Sequence, residues 1–239
     1  MRPYLLIDAG GTLIFPNSSL VRGILLEHRY SVTEERLERA MARVVYEYDQ
    51  SLATGHRRWD SRGFFEDVLQ RAGVKAQHLS PIAGRLEALN AERSLWGSTF
   101  TWVHDALARL EARGYGMSVV SNADGRVAHE FAELGLDTYF DAIFDSQVVG
   151  YAKPDVRLFQ HAMSSLGLEP EDCIYVGDMY FIDVLGANRA GVAGVQVDRF
   201  GLYSQLPGTR MASVASLPDF LTPELDWQSE AFFPLRDEA

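Results

Sequence analysis

Residues 4–12 read YLLIDAGGT, a short apolar run that stops at a carboxylate and two glycines. A run of about four to eight apolar residues bounded by turn residues is typical of a parallel strand buried on both faces. The sequence therefore predicts a buried strand over 4–7, with Asp8 at its carboxyl end.

The chain after Gly97 alternates between short apolar runs and segments of helical periodicity. Strands are predicted over 117–120, 142–144, 174–176 and 194–197, and helices over 103–113, 127–134, 155–166 and up to about 190. Strands and helices that alternate in this way predict a parallel sheet with right-handed crossovers. Strand 4–7 belongs to the same sheet, so the predicted fold class is α/β with a doubly wound core.

Residues 16–97 follow a different pattern. Apolar residues such as Leu37, Met41 and Val44 recur there at helical spacing, behind a helix start signal at Thr33. This stretch predicts a small helical unit that is inserted into the sheet-forming chain as a cap.

Three divisions of the chain follow from these patterns. We expect a core formed by 1–15 and 98–200, a helical cap over 16–97, and a C-terminal extension over 201–239 that packs on the core. The basic turn His56-Arg57-Arg58 falls in the cap, and we interpret it as an exposed turn.

Composition excludes several classes of protein. The 239 residues carry a net charge of −11 and are 47% hydrophobic, which excludes intrinsic disorder and argues against a protein that binds nucleic acid through a basic face. No apolar run approaches the roughly 20 residues of a membrane helix. The single cysteine, Cys173, favours a reducing compartment, so we expect a cytoplasmic protein. A monomer and a homodimer both remain possible.

Polar side chains collect where the predicted strands end. They are Asp8 and Thr12, Ser121 and Asn122, Lys153, and Asp178 and Asp183. Ligands of an open parallel sheet bind outside the carboxyl ends of its strands, so these groups are expected to share one edge. A nucleophilic carboxylate, small hydroxyls, an ammonium and further carboxylates are suited to phosphoryl transfer. Gly10 and Gly11 allow backbone N–H groups to approach the transferred oxygens.

The spacing of Asp178 and Asp183 bears on a metal site. Five residues on an ideal helix turn through roughly 140°, so the two carboxylates would diverge if both were helical. They can share one Mg²⁺ if Asp178 lies in the strand-exit loop and Asp183 near the helix start. The alternative is that one of them only caps the following helix.

These motifs, in their order along the chain, resemble those of the haloacid dehalogenase-like hydrolase superfamily. The matching segments are Asp8-Ala9-Gly10-Gly11-Thr12, Ser121-Asn122, Lys153-Pro154, and Gly177-Asp178 followed by Asp183. The resemblance spans about residues 4–198, and the helical block lies where the helical-cap subgroup of that superfamily has its cap. It implies a Rossmann-like core with the first strand central.

The resemblance also implies a role for each matching residue. Asp8 would attack phosphorus and carry the phosphoryl group, while Thr12, Ser121 and Lys153 would hold and neutralise the phosphate oxygens. Gly11 and Asn122 would contact the substrate. The implied cofactor is Mg²⁺, and its ligands would be Asp8, the Gly10 carbonyl, Asp178 and Asp183.

Gly10 departs from the family pattern, because phosphatases of the superfamily carry a second Asp at this position. That Asp protonates the leaving group and then activates water, a contribution of about 10²–10⁴-fold to the rate. We therefore expect a Mg²⁺-dependent phosphatase with weakened acid–base catalysis, acting on a small phosphorylated metabolite. Alkyl phosphates would suffer most from the loss, and acyl or aryl phosphates least.

Other chemistries of the superfamily remain as alternatives. Dehalogenase-like chemistry needs no leaving-group acid, but it dispenses with the metal and would leave Asp178 and Asp183 unexplained. Phosphonoacetaldehyde-hydrolase-like chemistry needs a cap lysine, and Lys75 is the one lysine besides Lys153. A third alternative is a non-catalytic descendant that binds a phosphorylated ligand or a protein.

Overall fold

The computed structural model describes residues 2–53 and 60–234, and the basic turn His56-Arg57-Arg58 lies outside these residues. The strands are β1 (Tyr4–Ile7), β2 (Met117–Ser121), β3 (Ala142–Asp145), β4 (Cys173–Gly177), β5 (Ala193–Val197) and β6 (Thr209–Met211). The α-helices are α1 (Ser18–Glu27), α2 (Glu34–Ala53), α3 (Ser61–Ala72), α4 (Ala76–Glu92), α5 (Thr101–Ala112), α6 (Val127–Glu133), α7 (Ser146–Val149), α8 (Val156–Leu166), α9 (Leu185–Arg189) and α10 (Leu217–Phe220).

The strands form one sheet in the order β3-β2-β1-β4-β5-β6, and every neighbouring pair is parallel. This confirms the α/β class, with β1 inside the sheet between β2 and β4. Every residue of β2, β4 and β5 is buried. Burial on both faces explains why these strands appear in the sequence as continuous apolar runs.

Several elements were not predicted from the sequence, and two of them show why. Strand β6 was not predicted, because its three residues, Thr-Arg-Met, contain no apolar run and lie at the sheet edge. Helix α1 was not singled out either, although Asn17 begins it by accepting a hydrogen bond from the Leu20 N–H at 3.2 Å. An Asn side chain at this position satisfies a backbone donor that the helix itself leaves unpaired.

The chain divides into two compact units. The sheet unit comprises 1–15 and 99–239, and the helical unit comprises 16–98. Helix α8 packs on the sheet through Phe159, whose ring meets that of Tyr175 edge-on at 5.1 Å. The helical unit has its own apolar core, drawn from α1 to α4.

The two points where the chain leaves and re-enters the sheet unit lie side by side. The Thr99 hydroxyl donates to the Leu13 carbonyl at 2.8 Å, and the rings of Phe15 and Phe100 are 4.8 Å apart. These contacts fix the ends of the inserted segment against each other.

Among residues 201–234, β6 joins the sheet and later segments contact the rest of the sheet unit. The Arg113 guanidinium donates to the Leu221 carbonyl at 2.6 Å, and the Asn188 amide donates to the Phe232 carbonyl at 2.8 Å. Among the helices of the described residues, none combines the length and the apolar character needed to cross a bilayer.

Candidate active site

Asp8 is the first residue after β1, and its N–H donates to the Val176 carbonyl of β4 at 2.8 Å. The chain then turns, so that the N–H groups of Leu13 and Ile14 both donate to the Ala9 carbonyl. Gly11 lies in this turn with φ +79°, and a Cβ there would lie 2.2 Å from Asp178 Oδ2. Glycine is therefore required for both the backbone conformation and the approach of Asp178.

Asp178 and Asp183 reach the same place from different local structures. Asp178 directly follows β4, whereas Asp183 lies in a π-helical turn over Tyr180–Val184. The Asp183 carboxylate accepts the Met179 N–H at 2.9 Å and lies so close to β4 that a Cβ on Gly177 would be 2.5 Å from its Cγ. Asp178 thus lies in the strand-exit loop and Asp183 lies just before α9, which is the arrangement that allows the two carboxylates to converge.

Oxygen atoms of Asp8, Asp178 and Asp183 lie within 4.8 Å of one another. Carboxylate oxygens are the ligands that hard cations such as Mg²⁺ prefer. The Lys153 ammonium lies against two of these three carboxylates, those of Asp8 and Asp183. The donor set therefore fits a divalent cation.

Lys153 is buried among these carboxylates. Its Nζ lies 2.7 Å from Asp8 Oδ1, 2.7 Å from Asp183 Oδ1 and 2.6 Å from the Tyr175 hydroxyl. The three donors of the ammonium thus have three acceptors. Burial disfavours the charged amine, but the carboxylates of Asp183 and Asp8 outweigh burial and raise the pKa of Lys153.

The environment of Asp8 pulls its pKa in both directions. Burial raises the pKa of Asp8 to about 6, and the Lys153 ammonium opposes this rise. The Asp183 carboxylate also raises the pKa and a hydrogen bond from the Ser121 hydroxyl lowers it, and about 6 is the balance of these influences. A bound cation would add to the effect of Lys153 and favour the ionised carboxylate that a nucleophile requires.

Asn122 follows β2, and both the nitrogen and the oxygen of its side-chain amide form hydrogen bonds with the backbone of Lys153. Its Nδ2 donates to the Lys153 carbonyl at 2.9 Å, and its Oδ1 accepts the Lys153 N–H at 2.7 Å. In this geometry the amide fixes the lysine backbone. Thr12 is fully buried, and its Oγ1 has no hydrogen-bond partner among the described residues.

The structure thus brings Asp8, Ser121, Lys153, Asp178 and Asp183 together, in side-chain contact or as neighbouring carboxylates. Gly11 contributes by its lack of a side chain, and Gly10 in the same turn carries no acid.

Sequence reasoning missed two buried polar residues of the site. Tyr175 lies inside the apolar run of β4, where an aromatic residue is interpreted as core. Gln196 on β5 is 1% exposed and donates to the Asp178 carbonyl at 3.3 Å. A glutamine within an otherwise apolar strand was the one signal that could have identified it.

The motif residues from Asp8 to Asp183 lie within a segment that matches a known family. The family model described as haloacid dehalogenase-like hydrolase matches residues 4–191. Haloacid dehalogenase-like hydrolase domain-containing protein 3 from Homo sapiens is 32% identical over 158 residues, which cover 64% of this chain and 61% of that protein. Its Mus musculus counterpart is matched over 54% of its length, so the chain spans less than two thirds of these relatives.

The chain is also similar to a protein named as a phosphatase and to a solved structure. Glyceraldehyde 3-phosphate phosphatase from Methanopyrus kandleri is 28% identical over 209 residues, covering 87% of this chain and 82% of that protein. The structure of YfnB from Bacillus subtilis, solved bound to magnesium, has a TM-score of 0.67 at 15% identity, and the match covers 93% of this chain and 100% of that one. The fold, the converging motif residues and the family match agree, and the chain belongs to the haloacid dehalogenase-like hydrolase family.

Proposed function

We propose that this protein is a Mg²⁺-dependent phosphatase that transfers the phosphoryl group of a small phosphorylated metabolite to Asp8 and then to water. The observation that carries the proposal is the contact of Lys153 Nζ with Asp8 and Asp183 beside Asp178. A cation, a nucleophilic carboxylate and further carboxylates in one cluster are what phosphoryl transfer requires. The phosphatase names of relatives such as the Methanopyrus kandleri protein support it.

The first step forms a bond between an Asp8 carboxylate oxygen and phosphorus, and it breaks the bond from phosphorus to the leaving oxygen. That oxygen departs with the bonding electron pair and takes a proton from water. Lys153 and the Ser121 hydroxyl stabilise the charge that develops on the phosphoryl oxygens. In the second step, a water oxygen bonds to phosphorus, and the bond from phosphorus to Asp8 breaks with its electron pair returning to the carboxylate. The proton that the attacking water loses neutralises the hydroxide left by the first step, and inorganic phosphate is released.

Mg²⁺ held by Asp8, Asp178, Asp183 and the Gly10 carbonyl would supply charge neutralisation for the phosphoryl group. With glycine at position 10, the nucleophile loop offers no carboxyl group to protonate the leaving oxygen. The reaction therefore favours leaving groups of low basicity, as in acyl and aryl phosphates.

Two further parts of the proposal concern the helical unit and the location of the protein. The helical unit acts as the cap that sets substrate specificity. The single cysteine supports a cytoplasmic location.

The test is hydrolysis of p-nitrophenyl phosphate, acetyl phosphate and glycerol phosphate with Mg²⁺. We expect wild type to cleave the first two, Asp8→Asn to be inactive, and Gly10→Asp to gain most on glycerol phosphate. Asp105→Asn, an exposed change on α5, is the control. Wild type and Gly10→Asp that both bind Mg²⁺ yet cleave none of the three compounds would refute the proposal.

A further inference from the structure

Tyr175 connects parts of the site that are distant in sequence. Its hydroxyl accepts a hydrogen bond from Lys153 Nζ at 2.6 Å and lies 2.8 Å from the Val120 carbonyl, next to Ser121. It also lies 3.2 Å from Asp183 Oδ1. One hydroxyl on β4 therefore contacts the end of β2, the lysine and the π-helical turn.

The position of this hydroxyl completes the surroundings of the ammonium. A lysine ammonium has three donors, and two of them point to Asp8 and Asp183. Without a third acceptor the buried ammonium would leave one donor unpaired, which is costly away from water. The Tyr175 hydroxyl still has its own proton, and both the Val120 carbonyl at 2.8 Å and Asp183 Oδ1 at 3.2 Å are in position to accept it.

We propose that Tyr175 is a positioning residue that fixes the Lys153 ammonium against the Asp8 carboxylate. The residue is fully buried, so it acts through Lys153 and does not touch the substrate. The effect of Tyr175 on the reaction rests on the proposed phosphatase function, whereas the positioning of Lys153 by Tyr175 does not.

The variant that removes only the hydroxyl is Tyr175→Phe. Its ring can keep the edge-on packing with Phe159 at 5.1 Å, while Lys153 loses one acceptor and the hydroxyl contacts to the Val120 carbonyl and Asp183 are lost with it. Tyr115→Phe is the matched control, because the Tyr115 hydroxyl is buried and donates to the Leu221 carbonyl at 3.3 Å, outside the Lys153 cluster.

The first readout needs no substrate. The chain contains two lysines, Lys75 and Lys153, so ¹⁵N-lysine labelling gives two ammonium signals in the NMR spectrum, with exposed Lys75 as the internal reference. We expect the Lys153 protons to exchange with water much more slowly than those of Lys75. Tyr175→Phe should accelerate this exchange roughly tenfold or more, since a hydrogen bond to a charged group is lost, and Tyr115→Phe should leave it unchanged.

The second readout is steady-state hydrolysis of p-nitrophenyl phosphate. Tyr175→Phe should lower kcat roughly tenfold while KM stays within about twofold, because a misplaced ammonium affects charge development more than binding. Equal Lys153 exchange and equal kcat in the two variants would overturn the proposal.

Two further outcomes separate the possible failures. Absence of phosphatase activity, with Lys153 exchange still dependent on Tyr175, would refute the proposed function and leave the positioning role supported. If Tyr175→Phe does not fold, the wild-type spectrum decides, because Lys153 exchange as fast as that of Lys75 would refute the role of Tyr175.

Discussion

Gly11→Ala tests whether the turn after β1 is shaped to admit Asp178. Gly11 has φ +79°, and an alanine Cβ would lie 2.2 Å from Asp178 Oδ2. Real Cβ contacts essentially never fall below 3.0 Å, so the carboxylate would have to retreat from the metal-ligand cluster. We expect the variant to lose affinity for Mg²⁺.

Gly11→Ala should have two separate effects, one on the free energy of unfolding and one on the affinity for Mg²⁺. A non-glycine residue in the left-handed region lowers the free energy of unfolding by about 1–2 kcal/mol. Gly135→Ala isolates this effect, because Gly135 has φ +65° and a Cβ there would meet nothing within 4 Å. Displacement of a ligand's supporting contact typically weakens metal binding roughly tenfold to a hundredfold, and this effect belongs to Gly11→Ala alone.

Isothermal titration with Mg²⁺ measures the second effect, and urea unfolding in EDTA measures the first. Both variants should lose similar stability, while Gly135→Ala keeps the wild-type Kd. A Kd for Gly11→Ala within twofold of that of Gly135→Ala would refute the reasoning that Asp178 depends on the missing Cβ.

Three further predictions concern the pKa of Asp8, the reactivity of Cys173 and the hydrogen bonds of Asn122. Burial raises the pKa of Asp8 to about 6, so the metal-free folded state binds this proton more tightly than the unfolded chain. The free energy of unfolding should therefore fall by roughly 3 kcal/mol between about pH 4 and pH 7 in EDTA, and the fall should be smaller in Asp8→Asn; equal pH dependence in urea titrations would contradict this. Burial raises the pKa of Cys173 to about 12, so a thiol reagent such as DTNB should label it in urea but not in the native protein. Asn122→Ala removes both hydrogen bonds to the Lys153 backbone and should lower kcat about tenfold, whereas Asn122→Asp, which keeps the acceptor, should retain more activity.

The strands of the sheet interior could be predicted because burial on both faces leaves an unbroken apolar run. Strand β1 begins and ends where the pattern of residues 4–7 placed it, and the ends of β2 to β5 shift by at most one residue. Strand β6 could not be predicted, since an edge strand of three residues is held by backbone pairing with β5, and backbone pairing leaves no pattern in side chains.

The site was predictable as a set of residues at strand ends, but its contacts were not. The convergence of Asp178 and Asp183 depends on a π-helical turn, for which the sequence carries no signal that we recognised. Asn122 holds the backbone of a residue 31 positions away, and no local pattern reveals the target of an amide. Tyr175 was hidden because a tyrosine in a buried strand has the same pattern whether its hydroxyl is used or not.

The contacts between Leu13 and Thr99, and between Phe15 and Phe100, have a consequence for how such proteins diversify. The chain leaves and re-enters the sheet unit at adjacent points. The inserted residues therefore form a loop whose two ends are already held together. Doubling the length of a flexible loop costs only about 0.6 kcal/mol in closure entropy. Residues 16–98 could therefore be lengthened, shortened or exchanged for an unrelated domain while the strands and the Asp8 loop fold as before.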